Sequence, residues 1–247
     1  MNCIIFTGGN YPEKSKAIHF IEPLLENAAI IAADSGLNAA KAYDIKPDFF
    51  LGDMDSVNRE SVEWFRNAAQ ENSGNPQNTE TFPEDKDFSD TELALRKAKS
   101  LGADFTVLVG GSGGRLDHLL GILELFKGAY KPDLWLTEEN AVYYADSESR
   151  PYLKILNLEE DAPVSVFPVF KPDCKDRNFV CKSEGLVWQL DNLDWKSGAV
   201  SLSNRRKSSA DKTGKDMSVR LNIDKGSFIV ILPLCVSVIF ADSKDRI

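Results

Sequence analysis

The chain has 247 residues, of which 43% are hydrophobic and 27% are charged, and its formal net charge at pH 7 is -9. This composition is typical of a globular protein long enough for one large domain or two ordinary ones. The negative charge argues against a nucleic-acid backbone or an anionic membrane as the main partner, because both are bound through clustered Lys and Arg.

The cysteine pattern and the first residues predict a reducing cytoplasm. The four cysteines show no CxxC spacing, and only two histidines are present, which argues against a structural zinc site. No apolar run approaches the roughly 20 residues of a membrane span, and no basic region precedes the first apolar segment. Cys174 and Cys181 could pair only in an oxidising compartment.

Apolar runs alternate with segments of helical periodicity in the first part of the chain. The predicted strands are residues 3–6, 29–33, 49–51, 78–82, 105–109, 134–136 and 141–144. Ser89 followed by Glu92 is a capping box that opens one helix. A later helix is predicted to bury Leu116, Leu119, Leu120, Leu123 and Phe126. The alternation predicts an α/β domain with a mostly parallel, doubly wound sheet.

The helical period disappears after Asp146, so the predicted domains are residues 1–146 and residues 147–247. The second domain contains short alternating runs separated by glycine-containing turns. These runs are residues 164–170, 186–190, 199–202, 217–223, 228–232 and 234–240. Strands at this spacing predict an all-β sandwich or barrel.

Polar and charged residues occupy the turns that follow the predicted parallel strands. In such sheets, ligands bind beyond the carboxyl ends of the strands. Asp53 and Asp55 follow a buried run, and two carboxylates this close repel each other unless a cation such as Mg²⁺ lies between them. The simpler alternative is a solvated turn with Ser56 as a helix cap. A second acidic turn carries Asp85, Lys86, Asp87 and Asp90. The alternative is that these acidic residues only stabilise the start of a helix through its dipole. That explains Asp90, in the first turn of the helix, better than Asp85.

Four glycines occur within residues 110–114, between a predicted strand and a predicted helix. Backbone N–H groups in such a loop can bind phosphate, and the alternative is a merely flexible loop. The loop matches neither the dinucleotide GxGxxG pattern nor GxxxxGK[ST]. Arg115, Asp117 and His118 follow it directly.

Trp188 and the stretch Ser201–Asn204 stand out in the second domain. A tryptophan on a strand is usually part of a core or an interface. An aromatic ring beside hydroxyl and amide groups would also suit a flat, cationic heterocycle.

Taken in order, these motifs resemble those of the thiamine pyrophosphokinase family. The matching pieces are Asp34-Ser35-Gly36 with Asn38, the acidic turns at 52–56 and 85–90, the glycine-rich stretch 110–118, and residues 185–190 and 201–204. The resemblance implies Mg²⁺-dependent transfer of diphosphate from ATP to the hydroxyl of thiamine, giving thiamine diphosphate and AMP. It also implies a homodimer in which thiamine lies between the α/β domain of one subunit and the β domain of the other.

The resemblance assigns roles to individual residues. It makes Asp53, Asp55 and Asp87 the metal ligands and adds Asp85, Lys86 and Asp90 to the catalytic set. The residues that would contact ATP are Asn10, Asp34, Asn38, Ser56, Gly111, Ser112, Gly113, Gly114, Arg115, Asp117 and His118. The residues that would hold thiamine are Trp188, Ser201, Ser203 and Asn204.

Two alternatives remain open. One is a pyrophosphokinase acting on another hydroxymethyl heterocycle, such as a pterin. The other is a non-catalytic thiamine or nucleotide binder. The acidic cluster favours an enzyme, because a pure binder does not need carboxylates that repel one another without metal.

Overall fold

The computed structural model describes residues 1–52, 57–71, 78–80, 88–172, 178–208 and 218–240. The chain forms two compact units, Met1–Glu139 and Asn140–Ile247. Among the described residues, no helix has the length and apolar character needed to cross a membrane.

The first unit contains a parallel sheet and helices that alternate with its strands. The strands are β1 (Asn2–Phe6), β2 (Ala28–Ala33), β3 (Phe49–Leu51), β4 (Asn78–Glu80), β5 (Phe105–Val109) and β6 (Leu134–Leu136). The helices are α1 (Lys14–Ile21), α2 (Gly36–Tyr43), α3 (Arg59–Glu71), α4 (Asp90–Ser100) and α5 (Leu116–Leu125), and Glu22–Asn27 forms a 3-10 helix. The predicted α/β class is confirmed.

The strand order in this unit is β6-β5-β1-β2-β3-β4, and every adjacent pair is parallel. The chain therefore moves outward from β1 in both directions, and the order reverses between β1 and β5. In open α/β sheets, ligands bind beyond the carboxyl ends of the strands at such a reversal. The topology places the expected binding region after Phe6 and after Val109.

Apolar side chains pack on the sheet because parallel strands are covered on both faces. Ala32, Leu37, Phe50 and Phe65 form one buried cluster, in which the rings of Phe50 and Phe65 meet edge to face at 5.7 Å. Burial of each large apolar side chain contributes about 1.5 to 3 kcal/mol. This packing fixes β3, and with it the backbone position at which the first acidic turn begins.

Helix α5 presents a different face to the core from the one predicted. Leu116 and Leu120 are 67% and 52% exposed, whereas Ile122 and Phe126 are buried. Phe126 packs near Trp135, with the ring centroids 6.3 Å apart. The prediction for Leu116 and Leu120 was wrong because apolar spacing alone does not determine which side of a helix meets the sheet.

The second unit consists of two antiparallel sheets. Their strand orders are β11-β9-β13-β7 and β10-β12-β8-β14. The strands are β7 (Asn140–Asp146), β8 (Tyr152–Leu156), β9 (Val164–Pro168), β10 (Val180–Glu184), β11 (Ser201–Asn204), β12 (Val219–Lys225), β13 (Ser227–Pro233) and β14 (Ser237–Phe240). Rings of Tyr143 and Phe240 meet between the two sheets at 6.1 Å. The predicted all-β domain is confirmed.

Strand β7 belongs to the second unit because it pairs with β13 along its whole length, from Asn140 to Asp146. The roles predicted for the two domains, with ATP and metal bound by the first and thiamine bound by the second, stay predictions.

The predicted strand at residues 186–190 was wrong. Leu186 makes a single bridge with Arg206, and Leu190–Asn192 forms a 3-10 helix. Side chains replace the missing strand ladder, since Ser183 Oγ accepts a hydrogen bond from the Leu190 amide at 2.9 Å and Gln189 Nε2 donates to the Leu186 carbonyl at 2.7 Å. Side-chain bonds of this kind compete with regular secondary structure. The sequence prediction also missed β8 and β10.

Gly36 provides a test of how closely α2 approaches β1. A Cβ atom at this position would collide with the backbone carbonyl of Phe6, whereas a Cβ atom at Gly121 in α5 would meet nothing within 4 Å. We expect Gly36→Ala to lower the free energy of unfolding by about 2 to 4 kcal/mol, because two backbones must separate. Gly121→Ala is the control and should raise it by about 0.5 to 1 kcal/mol. Urea unfolding of both variants measures the difference, and equal stabilities would contradict the close approach.

Candidate active site

Backbone hydrogen bonds join the loops that follow β1 and β5. The Thr7 amide donates to the Val109 carbonyl at 2.9 Å, and the Gly111 amide donates to the Gly8 carbonyl at 2.8 Å. The Asn10 amide donates to the Ser112 carbonyl at 2.6 Å. The two loops therefore form one hydrogen-bonded unit where the strand order reverses.

Ser112 stabilises this joined pair of loops. Its hydroxyl donates to the Asn10 carbonyl at 2.9 Å and accepts from the Glu138 amide at 2.9 Å. The side chain is buried. The Asn10 side chain is also engaged, since Nδ2 donates to Glu138 Oε2 at 2.8 Å. In this structure both predicted ATP contacts therefore hold the loops together through their side chains.

The exposed part of the glycine-rich loop is Gly113–Arg115. Gly110 has φ +100°, and its Cβ would lie 2.5 Å from the Thr7 carbonyl oxygen, so only glycine allows β5 to turn this close to β1. Trp135 Nε1 donates to the Gly110 carbonyl at 2.6 Å and holds the buried part of the loop. Gly114 has no neighbouring atom within 4 Å of its Cβ position, which leaves backbone there open to a ligand.

Arg115 and Asp117 form a two-point ion pair at the start of α5. Arg115 Nε lies 3.1 Å from Asp117 Oδ1, and Nη2 lies 2.6 Å from Oδ2. The hydrogen bonds from Arg115 lower the pKa of Asp117, and those to Asp117 raise the pKa of Arg115. Both side chains are exposed and charged at neutral pH. His118 is exposed in the same first turn.

Asp34 connects the joined loops to the start of the first acidic turn. It has a left-handed backbone, with φ 48°, and its amide donates to the Leu51 carbonyl at 2.8 Å. A Cβ atom on Gly8 would lie 3.8 Å from Asp34 Oδ2, and one on Gly52 would lie 3.1 Å from the Asp34 Cα atom. The Gly111 amide is therefore bonded to Gly8, and Gly8 and Gly52 both lie beside Asp34, so the glycine-rich loop and the start of the first acidic turn are near one another.

Asn38 binds the segment that follows the first acidic turn. Its Oδ1 accepts from the Asn58 amide at 3.2 Å. Together with the contact between Gly52 and Asp34, this bond fixes both flanks of residues 53–56. The predicted ligands Asp53 and Asp55, and the predicted ATP contact Ser56, lie outside the described residues.

The start of α4 is attached to the end of β1. Thr91 Oγ1 and Thr7 Oγ1 share a hydrogen bond of 2.6 Å. Ser89 Oγ accepts from the Glu92 amide at 3.2 Å, which confirms the predicted cap. Asp90 is the first residue of this helix. Residues Asp85, Lys86 and Asp87 lie outside the described residues, and α4 begins shortly after them.

Arg96 contacts Phe88, which lies within the second acidic turn between Asp87 and Asp90. Its guanidinium Cζ atom lies 4.0 Å from the ring centroid of Phe88 and 4.4 Å from that of Tyr130. Nη2 also donates to Glu92 Oε1 at 2.8 Å. Within the described part of the chain, no group of three or more His, Cys, Asp or Glu is placed to hold a metal ion.

Asn204 in the second unit is only 1% exposed, and its amide group is fully bonded. Nδ2 donates to the Trp188 carbonyl at 2.7 Å and to Ser201 Oγ at 3.3 Å. Oδ1 accepts from the amides of Trp188 at 3.2 Å and Arg205 at 2.9 Å. An amide makes four such bonds at most, so Asn204 positions Trp188 and has no free group for a ligand in this structure.

Two of the predicted thiamine contacts, Trp188 and Ser203, lie at the surface, and a third, Ser201, is buried. The Trp188 side chain is 54% exposed. Ser203 is exposed, has φ 49° and donates its amide to Ser165 Oγ at 3.1 Å. Ser201 is buried and bonded to Asn204. Of these residues, the Trp188 ring and the Ser203 hydroxyl are the groups that a ligand could reach.

Sequence reasoning missed three residues at these positions: Glu138, Thr91 and Arg205. Glu138 follows β6 directly, so the same carboxyl-edge rule that identified the other turns could have found it. Thr91 and Arg205 carry no comparable signal, because their contacts with Thr7 and Trp188 depend on tertiary packing.

Replacement of Asn204 tests its structural role. We expect Asn204→Ala to lower the free energy of unfolding by about 2 to 4 kcal/mol, because buried backbone groups of Trp188 and Arg205 lose their partners. Lys196→Ala, at an exposed side chain of the same unit, is the control and should change it by about 0.5 kcal/mol or less. Urea unfolding followed by circular dichroism measures both effects. An Asn204→Ala protein as stable as the control would contradict this role.

Comparisons with known proteins show which family and which fold this chain resembles. Residues 21–136 match the family model described as thiamin pyrophosphokinase, catalytic domain. Thiamine pyrophosphokinase 1 of Arabidopsis thaliana is 24% identical over 161 residues, which cover 64% of this chain and 58% of that protein.

Solved structures share the fold over nearly the whole chain. Thiamin pyrophosphokinase from Geobacillus thermodenitrificans has a TM-score of 0.65 at 22% identity, with 100% of each chain covered. Thiamine pyrophosphokinase from Bacillus subtilis has a TM-score of 0.65 at 20% identity, with 94% of this chain and 99% of that chain covered. The comparisons confirm the resemblance of this chain to the thiamine pyrophosphokinase family.

Proposed function

We propose that this protein is a thiamine pyrophosphokinase that transfers diphosphate from ATP to the hydroxyl of thiamine, giving thiamine diphosphate and AMP. The observation that carries this proposal is the proximity of the glycine-rich loop to the start of the first acidic turn: the Gly111 amide bonds the Gly8 carbonyl, Gly8 lies beside Asp34, and the Asp34 amide bonds the Leu51 carbonyl. A glycine-rich loop suited to phosphate thus lies near the start of a paired-carboxylate turn. A backbone phosphate cradle combined with metal-binding carboxylates recurs in enzymes of phosphoryl transfer.

The proposed ATP site lies at the carboxyl ends of β1, β2 and β5. The open backbone at Gly114 and the guanidinium of Arg115 would contact the phosphates, and Gly113 is exposed next to them but packs against the Asn10 side chain. Asp117 would hold Arg115 in place through their two-point ion pair. Ser112 and Asn10 would act through the loop that they stabilise.

The chain's residues suit a divalent cation such as Mg²⁺ at this edge. The predicted donors Asp53, Asp55 and Asp87 offer carboxylate oxygens, which are the ligands that Mg²⁺ prefers, and the described carboxylate of Asp34 lies at the flank of the first turn. When bound, the cation would offset the negative charge of the phosphates.

The chemical step proposed here is an in-line displacement. The hydroxyl oxygen of thiamine forms a bond to the β-phosphorus of ATP, and the bond from that phosphorus to the oxygen shared with the α-phosphate breaks, so AMP leaves. One carboxylate of the set Asp53, Asp55, Asp85, Asp87 and Asp90 orients the hydroxyl and accepts its proton. Lys86 offsets charge on the transferring group. Positioning and electrostatics supply most of the rate enhancement.

The second unit would supply the thiamine site. The exposed Trp188 ring offers an apolar, electron-rich face for the cationic heterocycle, and Ser203 offers a nearby hydroxyl. We further propose a homodimer with active sites at the subunit interface. The exposed leucines Leu116 and Leu120 on α5 and Leu202 on β11 support this, because association would cover them. A cytoplasmic location stays a prediction from the cysteine pattern.

Replacement of Asp55 tests the function and the metal assignment together. With ATP, Mg²⁺ and thiamine, the wild type should release AMP, and Asp55→Asn should lower turnover on the order of 10²-fold or more, because the paired carboxylate is lost. Asp161→Asn, at an exposed turn of the second unit, is the control and should keep normal turnover. Excess EDTA should abolish turnover of the wild type.

The same assay separates the alternatives. AMP release with a hydroxymethylpterin but not with thiamine would identify the other class of pyrophosphokinase. Thiamine binding without AMP release would identify a binder. Near-normal turnover by Asp55→Asn would contradict the metal assignment.

A further inference from the structure

One face of the exposed Trp188 ring is covered by a cation of the protein itself. The Arg205 guanidinium Cζ atom lies 5.0 Å from the ring centroid, within the distance of a cation–π interaction. The ring is 54% exposed, and Arg205 is exposed as well. Both groups can therefore be reached from solvent.

The guanidinium and the ring are anchored to the same buried side chain. Asn204 Oδ1 accepts from the amides of both Trp188 and Arg205, and Asn204 Nδ2 donates to the Trp188 carbonyl. The Arg205 carbonyl also accepts from the Val187 amide at 2.9 Å. The backbones on both sides of the stacked pair are thus fixed, and only the long Arg205 side chain has to move if the ring face is to be uncovered.

Among the described residues, no carboxylate offsets the charge on Arg205. Within the described ranges, its guanidinium makes no ion pair with a carboxylate. A cationic ring that stacks on the same face must displace the guanidinium, and a cationic ring that stacks elsewhere on Trp188 remains close to it. Both routes cost binding free energy through lost cation–π attraction or like-charge repulsion.

We propose that Arg205 is a specificity-determining residue that weakens the binding of cationic rings at Trp188 relative to neutral rings of the same shape. The proposal rests on the proposed function, in which Trp188 receives the positively charged thiazolium ring of thiamine. The KM for thiamine would therefore be higher with Arg205 present than at the same Trp188 site without the charge of residue 205.

The experiment compares two alcohols on charge variants of residue 205. The substrates are thiamine and its neutral isostere, in which a thiophene ring replaces the thiazolium ring. Arg205→Gln removes the charge and keeps a long polar side chain, whereas Arg205→Lys keeps the charge. Lys207→Gln removes a neighbouring exposed charge and serves as the matched control. KM and kcat are measured for each pair, together with Kd from isothermal titration calorimetry of the wild type, of each variant and of Trp188→Ala.

We expect Arg205→Gln to lower KM and Kd for thiamine by about three- to tenfold and to change those for the neutral isostere by about twofold or less. Arg205→Lys should keep more of the wild-type preference than Arg205→Gln, and Lys207→Gln should behave as the wild type. The turnover number should change little, because Arg205 is not placed at the reacting atoms.

Several results would overturn the proposal. A higher KM for thiamine in Arg205→Gln would mean that Arg205 holds the substrate. Equal shifts for both alcohols would indicate packing rather than charge, and an unchanged Kd for thiamine in Trp188→Ala would remove Trp188 from the site. If no alcohol is turned over but the measured Kd values still show the charge preference, the proposed function fails and the charge selectivity of Arg205 stands.

Discussion

The hydrogen bonds between the loops after β1 and β5 fix the backbone at the carboxyl edge of the first unit, where ligands bind in open α/β sheets. Ser112 and Asn10 join the two loops through backbone and side-chain bonds, and Glu138 binds both residues. Two adjacent parallel strands whose chains leave in opposite directions produce a crevice at their carboxyl ends. The bonds fix its base, so that the open glycines and Arg115 project from a rigid support. Preorganised donors of this kind stabilise charge without a reorganisation cost during the reaction.

In the second unit, one buried side-chain amide has the same structural role. Asn204 binds the backbone on both sides of Trp188 and also the amide of Arg205. An aromatic ring on an irregular loop would otherwise lose more conformational entropy when it binds a ligand. Both units thus use a buried side chain, Ser112 in one and Asn204 in the other, to position exposed groups that a substrate can meet.

Much of the fold could be predicted from the sequence because hydrophobic periodicity is a local signal. The parallel strands, the all-β second half and the Ser89 cap all follow from spacing and residue type. The orientation of α5 and the loop at residues 186–190 could not be predicted in the same way. In each case, tertiary contacts decide the outcome, namely the packing of Ile122 and Phe126 and the hydrogen bonds of Ser183.

The candidate site shows the same limit. The sequence places Asp34, the acidic turns and the glycine-rich loop at one edge, because parallel strands end together. It does not distinguish a residue that touches a ligand from one that holds such a residue in place. Asn204 and Ser112 were both predicted to be ligand contacts, and both have their side chains bonded within the protein. The contact of Arg205 with Trp188 has no sequence signal at all.

The central claim is that the joined loops and the acidic turns bring about transfer at the β-phosphorus of ATP. Phosphorus NMR of the products formed from ATP, Mg²⁺ and thiamine tests it most directly. We expect equal amounts of AMP and thiamine diphosphate, because the bond between the α-phosphate oxygen and the β-phosphorus breaks. Formation of ADP with thiamine monophosphate, or the absence of any new phosphorus signal, would contradict it.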